Sequence, residues 1–123
     1  MGGNHPRNPE GFFAGHPDGL LLFAVVQDAV AAIGAAEVRV TKSQIAFRRR
    51  KGFAYVWRPK QYVRSAFPAV LSIALPHRVG SDRFKEVVHP SGQLWMHHLE
   101  LDDPGQIDDE VRGWLSAAYE NAG

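Results

Sequence analysis

Two adjacent histidines, His97 and His98, are the side chains of this sequence best suited to acid–base or metal chemistry. Their segment reads as a strand, and neighbours on a strand point to opposite faces. The pair therefore cannot chelate one metal ion without a bulge. His98 shares parity with Met96 and Glu100. A histidine and a carboxylate two apart supply two ligands, whereas a metal site needs three or four. His98 and Glu100 are thus weak metal candidates, and neither a metal nor a cofactor is expected. His97 shares parity with Trp95, Leu99 and Leu101, which marks it as a core histidine whose ring nitrogens need hydrogen-bond partners. Lys42, leaving the first strand, is a candidate anion contact or catalytic base. A pocket around Lys42 and His97 is the enzyme alternative. The chain has no cysteine, so disulfides, thiolate zinc sites and a cysteine nucleophile are all excluded. It also lacks a nucleophile elbow, a P-loop, a dinucleotide fingerprint and an HExxH motif.

The second chemical signal is charge. The net charge is +1 over 123 residues, but its distribution is lopsided. From Val38 to Ser81 there are ten Lys or Arg and no acid, and from Glu100 onward there are seven acids and one base. Such asymmetry sets up a field that recruits anionic partners, unless the two regions neutralise each other within the fold. Arg39, Lys42, Arg48 and Arg58 are the candidate ligand contacts, with His97 beside them.

These residues need elements to hold them. Phe23, Val26, Val30 and Ile33 fall at helical spacing and predict a helix over 17–33, opened by Pro17 and stopped at Gly34. Period-two segments follow at 38–41, 45–48, 53–58, 69–75, 84–88 and 94–101. The last two are joined by a His89-Pro90-Ser91-Gly92 turn. Ile107, Val111, Trp114, Leu115, Ala118 and Tyr119 then form the clearest amphipathic stripe, predicting a helix over 104–121 with Asp103-Pro104 at its start. The expected fold is α+β: an antiparallel meander of about six strands with the N- and C-terminal helices packed on one face. Residues 1–11 read as a flexible leader and 12–123 as a single domain. The longest apolar run, Leu20 to Val26, is far short of the about 20 residues a membrane span needs.

One hairpin decides which face the aromatics take. An even loop at Lys51-Gly52 puts Phe53, Tyr55 and Trp57 beside Arg48 and Arg50, a platform of the kind that stacks bases. An odd loop, Arg50-Lys51-Gly52, puts Ile45, Phe47, Phe53, Tyr55 and Trp57 together in the core and leaves Ala46, Arg48, Ala54, Val56 and Arg58 outside. Burial at roughly 1.5–3 kcal/mol per large side chain favours the odd loop.

The run Val38 to Arg50 with Phe53-Ala54-Tyr55-Val56-Trp57 resembles the bacterial family known as domain of unknown function 5655. So do Phe12-Phe13-Ala14-Gly15-His16-Pro17, His97-His98-Leu99-Glu100-Leu101 and Trp114 to Glu120. The resemblance covers about residues 12–120 and implies no known substrate. It implies a site cluster at Lys42, Phe47, Phe53, Trp57 and His97. In outline the family is also similar to YdhG-like, frataxin-like domains, which implies iron handling. This chain departs from them in having only Asp18 and Asp28 as acids on its first helix.

The expectation is a small, soluble, cytoplasmic binding or accessory domain, monomeric or weakly dimeric. Its basic sheet face would meet an anionic partner: nucleic acid, a phosphorylated metabolite or an acidic protein surface. The alternatives are the enzyme with Lys42 and His97, and a metal-handling domain using His98, Glu100 and the tail acids.

Overall fold

The structure is a computed structural model and describes residues 6–59 and 65–123. The first five residues of the expected leader, and Lys60 and Arg64 of the basic stretch, lie outside the described residues.

Chain order begins with a short helix, α1 (Pro9–Phe12), where the sequence predicted an irregular leader. The Asn8 side chain caps it by accepting from the N–H of Gly11 at 2.7 Å, a strong N-cap arrangement. Helix α2 (Pro17–Ile33) follows with the predicted bounds and buries Leu22, Phe23, Val26, Ala29 and Val30. Six strands come next: β1 (Glu37–Val40), β2 (Ile45–Arg48), β3 (Gly52–Trp57), β4 (Ala69–Leu75), β5 (Glu86–Ser91) and β6 (Leu94–Leu101). The fifth starts later and runs further than predicted, so His89 and Pro90 belong to the strand rather than to the turn. Helix α3 (Asp109–Asn121) closes the chain.

The predicted last helix begins five residues late. Asp103 and Pro104 instead open a separate 3-10 turn, Pro104–Gln106, held by a capping box. Asp108 is the true N-cap of α3, accepting from Val111 N–H at 3.1 Å.

The strands form one antiparallel sheet in the order β1-β2-β3-β4-β6-β5. The departure from a simple meander is at its end, where β6 inserts between β4 and β5. Helices α2 and α3 pack together on one face, with α3 against β3 and β4. The core lies between them, and Phe23 stacks on Phe47 at 5.7 Å. Register shows which residues join this core. Val38, Phe47, Ala54, Ile73, His97 and Val87 are cross-strand partners in one row on the helix side, buried except at the sheet edges, where Val38 is exposed and Val87 half-buried. Arg39, Ala46, Tyr55, Ser72, His98 and Glu86 form the next row, on the helix-free face.

Neither predicted hairpin is the one found. The register slips between Phe47 and Arg48: Phe47 pairs with Ala54, but Arg48 pairs with Gly52. Phe53 is the extra residue of a β-bulge, which lets two successive side chains take the same side. Phe53 therefore turns inward, 1% exposed, and meets Tyr119 of α3 edge-on at 5.5 Å. Tyr55 and Trp57 resume the alternation on the open face, while Ala54 and Val56 are fully buried in the places expected for them. The odd loop holds for Ile45, Phe47 and Phe53, which are core, and is corrected for Tyr55 and Trp57, which face outward, and for Ala54 and Val56, which face inward.

Candidate ligand-binding site on the open sheet face

The helix-free face holds a cavity of ≈ 590 Å³ lined by Ser43, Gln44, Tyr55, Trp57, Ser72, Met96 and His98. Such a volume suits a small organic ligand. Strands β3, β4 and β6 supply its floor, and the turn between β1 and β2 supplies one wall. That turn is rigidified by Thr41, whose hydroxyl oxygen accepts from the N–H groups of Ser43 and Gln44 at 3.3 and 3.2 Å.

At the floor is a polar relay. The indole N–H of Trp57 donates to Ser72 Oγ at 2.8 Å, and Ser72 Oγ lies 2.6 Å from His98 Nδ1. The Trp57 and His98 rings also meet edge to face at 6.0 Å. Ser72 is 2% exposed. Desolvation lowers the His98 pKa from its ordinary value; the charge of Glu86 opposes this and that of neighbouring His97 adds to it.

His97 points the other way and is 0% exposed. Its Nε2 accepts from Val79 N–H at 2.9 Å. Its Nδ1 lies 3.1 and 3.3 Å from the carbonyls of Trp95 and Ile73. Phe84 covers the ring at 4.9 Å. Burial lowers this histidine's pKa too, against the two carbonyl hydrogen bonds.

The predicted site residues do not gather in one place. Arg39 shares the open-face row with Tyr55 and Ser72. Lys42 is exposed in the turn whose Ser43 and Gln44 line the cavity. Arg48 is further along the same hairpin, opposite Glu37. Arg58 goes instead to the start of α2, where its guanidinium meets His16 at 2.6 Å. His97 is in the helix-side core, with β3 and β4 between its strand and β2. Lys42 and His97 therefore do not form the pocket of the enzyme alternative. The cluster implied by family resemblance divides likewise: Phe47, Phe53 and His97 are core, and Trp57 lines the cavity.

The charge asymmetry resolves into separate pairs. Among the described residues, the tail acids Asp108 and Glu110 bind Arg83 at 3.0 and 2.8 Å, and Glu100 binds Lys85 at 3.2 Å. The open-face arginines meet a different acid. Glu37, one residue before the acid-free stretch, lies 3.4 Å from Arg39 and 3.7 Å from Arg48. The face is thus basic at its β1–β2 end, and at the other end it carries Glu86 beside the Glu100–Lys85 pair.

Sequence reading missed Ser72. Its signal is a lone hydroxyl within the buried run Ala69–Leu75, since a buried hydroxyl must have a partner.

A family model described as Domain of unknown function (DUF5655) matches residues 10–122. The chain belongs to this family. No curated protein and no solved structure matches it. The comparisons give the frataxin-like resemblance no support, and among the described residues no three His, Asp or Glu side chains are grouped to hold a metal ion. His98 and Glu100 share the open face of this DUF5655 chain without a third ligand. Among the described residues, no helix is long and apolar enough to cross a membrane. The DUF5655 fold here is a small α+β domain with basic residues clustered beside its sheet.

Proposed function

We propose that the domain binds a small anionic ligand on its open sheet face. The flat apolar part of the ligand enters the cavity between Tyr55, Trp57 and Met96, and its negative charge lies toward Arg39 and Lys42. The observation that carries this reading is the bulge at Phe53, which turns Tyr55 and Trp57 out onto the face that bears Arg39. Aromatic side chains offer stacking area for a planar group, and Arg39 and Lys42 offer charge-assisted hydrogen bonds. Within this reading the domain acts in the cytoplasm, as a monomer or weak dimer.

The test is a tryptophan-fluorescence titration with uridine monophosphate and with uridine, at low and at moderate salt. The nucleotide quenches Trp57 emission more strongly at low salt, and the W57F variant loses that response. Absence of any Trp57-dependent change up to millimolar nucleotide at low salt defeats the reading.

A further inference from the structure

We infer that His98 is the recognition group of the cavity, donating from Nε2–H to a carbonyl or ring-nitrogen acceptor on a heteroaromatic ligand whose anionic group lies at the β1–β2 end. This rests on the reading above and names the ligand class: a nucleoside monophosphate.

The polarity of the floor relay determines which nitrogen carries the proton. An indole nitrogen can only donate. Ser72 Oγ therefore accepts from Trp57 at 2.8 Å. The serine keeps one proton of its own, and its remaining contact among the described residues is His98 Nδ1 at 2.6 Å. If Nδ1 carried a hydrogen, it would donate to an oxygen already accepting from the indole. The serine proton would then have no acceptor in a site that is 2% exposed, which is costly. Only one direction satisfies every group: Trp57 donates to Ser72, and Ser72 donates to His98 Nδ1. The neutral imidazole then has its hydrogen on Nε2. No group among the described residues pairs with that nitrogen, and it is not a buried atom lacking a partner. A donor is thus left at the floor of the cavity.

The surrounding charges select what it meets. Glu86 is the cross-strand partner of His98, and Glu100 is two residues along the same strand. Lys85 already pairs with Glu100, so a phosphate or carboxylate at His98 would face chiefly the charge of Glu86, which also acts on the ring. A neutral acceptor would not. At the other end of the row the cations are Arg39 and nearby Lys42. From β6 to β1 the row crosses four strand spacings, on the order of 19 Å between backbones. Extension of the Arg39 and His98 side chains toward each other would shorten that gap toward the length of a nucleotide. The flat walls of Tyr55 and Trp57 suit its base.

Two measurements test this on the full chain. Long-range proton–nitrogen NMR of the histidine rings reads the tautomer directly. His98 is expected as the Nε2–H form, with a mixture appearing in S72A. A predominantly Nδ1–H ring in the wild type overturns the inference. Calorimetric titrations with uridine monophosphate and ribose 5-phosphate read the ligand. H98A is expected to weaken nucleotide binding by about tenfold or more and leave the weaker ribose 5-phosphate binding unchanged. H98Q, which keeps an N–H at similar reach, retains more affinity than H98A. Equal nucleotide affinity in wild type and H98A overturns the inference but leaves the anion-binding reading standing. If the wild type binds neither compound, both fall.

Discussion

The backbone N–H of Val79 donates to Nε2 of His97 at 2.9 Å, from a connection 18 residues away in the chain. This bond ties the segment after β4 to the buried face of β6. It also makes Nε2 an acceptor, so the neutral ring carries its hydrogen on Nδ1, facing the carbonyls of Trp95 and Ile73. Adjacent histidines thus hold opposite tautomers. H97A is expected to cost about 2–4 kcal/mol, by cavity formation and by leaving the Val79 N–H unpaired. H97F restores volume but not the acceptor, and should recover only part of that loss. Urea denaturation measures both; a variant within about 0.5 kcal/mol of wild type contradicts this role.

Stability should fall with acid. Burial lowers the pKa of both His97 and His98 below the ordinary 6.5. For a base whose folded pKa is depressed, the unfolded chain takes up protons first as pH drops. The stabilisation is complete above about pH 6.5 and is lost progressively below it, levelling off under the folded pKa values. His77 and Arg78 push His97 the same way, whereas Glu86 partly protects His98. Denaturation midpoints that stay level between about pH 7.5 and 5.5 would count against these environments.

Glu37 restrains the basic edge. It meets Arg39 and Arg48, and both contacts are substantially exposed, so its removal should cost little stability. E37Q is expected to strengthen anion binding by a fewfold, while R39E weakens it. With oligo(dT) as a longer probe, three to five phosphate contacts would lower affinity by roughly twentyfold to a hundredfold between 50 and 200 mM salt. A salt-independent titration, or no effect of E37Q, removes the basic edge from the site.

The bulge makes a sharp contrast between neighbours of similar size. F53A empties a fully buried position and should cost about 3–5 kcal/mol. Y55A, on the open face, should cost about 1 kcal/mol or less and act on ligand binding instead. Equal losses at both positions would place Tyr55 in the core after all.

Most of the architecture was legible because it rests on periodicity. The stripe Phe23, Val26, Val30 and the alternation Leu71, Ile73, Leu75 each report one buried face without further information. The hairpin was not legible for a definite reason. Counting loop residues assumes uninterrupted alternation, and a bulge breaks the count inside the strand. Nothing around Gly52 distinguishes a loop residue from a bulged one until the partner strand is known. Burial energy misled as well, since it values Trp57 as a hydrocarbon. Its N–H needs an acceptor, and Ser72 provides one on the other face. The candidate site suffered from the same blindness. His98 was visible as a chemical residue, but its partners lie on β3 and β4, and only the register brings them together. For the same reason Lys42 and His97, both conspicuous in the sequence, are separated by it. The start of α3 was misread because Asp103-Pro104 and Asp108 are both good caps, and the nearer one opens only a 3-10 turn.

The insertion of β6 between β4 and β5 has a consequence for the order of events as the chain folds. Strands β1 to β4 each pair with their sequence neighbour, so their contacts close over comparatively short loops. The β4–β6 pairing must close over residues 76–93, which include all of β5. Longer closures cost more chain entropy and slow the steps that depend on them. Tyr55, Trp57 and Ser72 are therefore expected to be in place before His98 and Met96, whose position depends on that longer closure. The cavity exists only once that last ladder is zipped, which makes ligand-dependent Trp57 quenching a clock for the completion of folding.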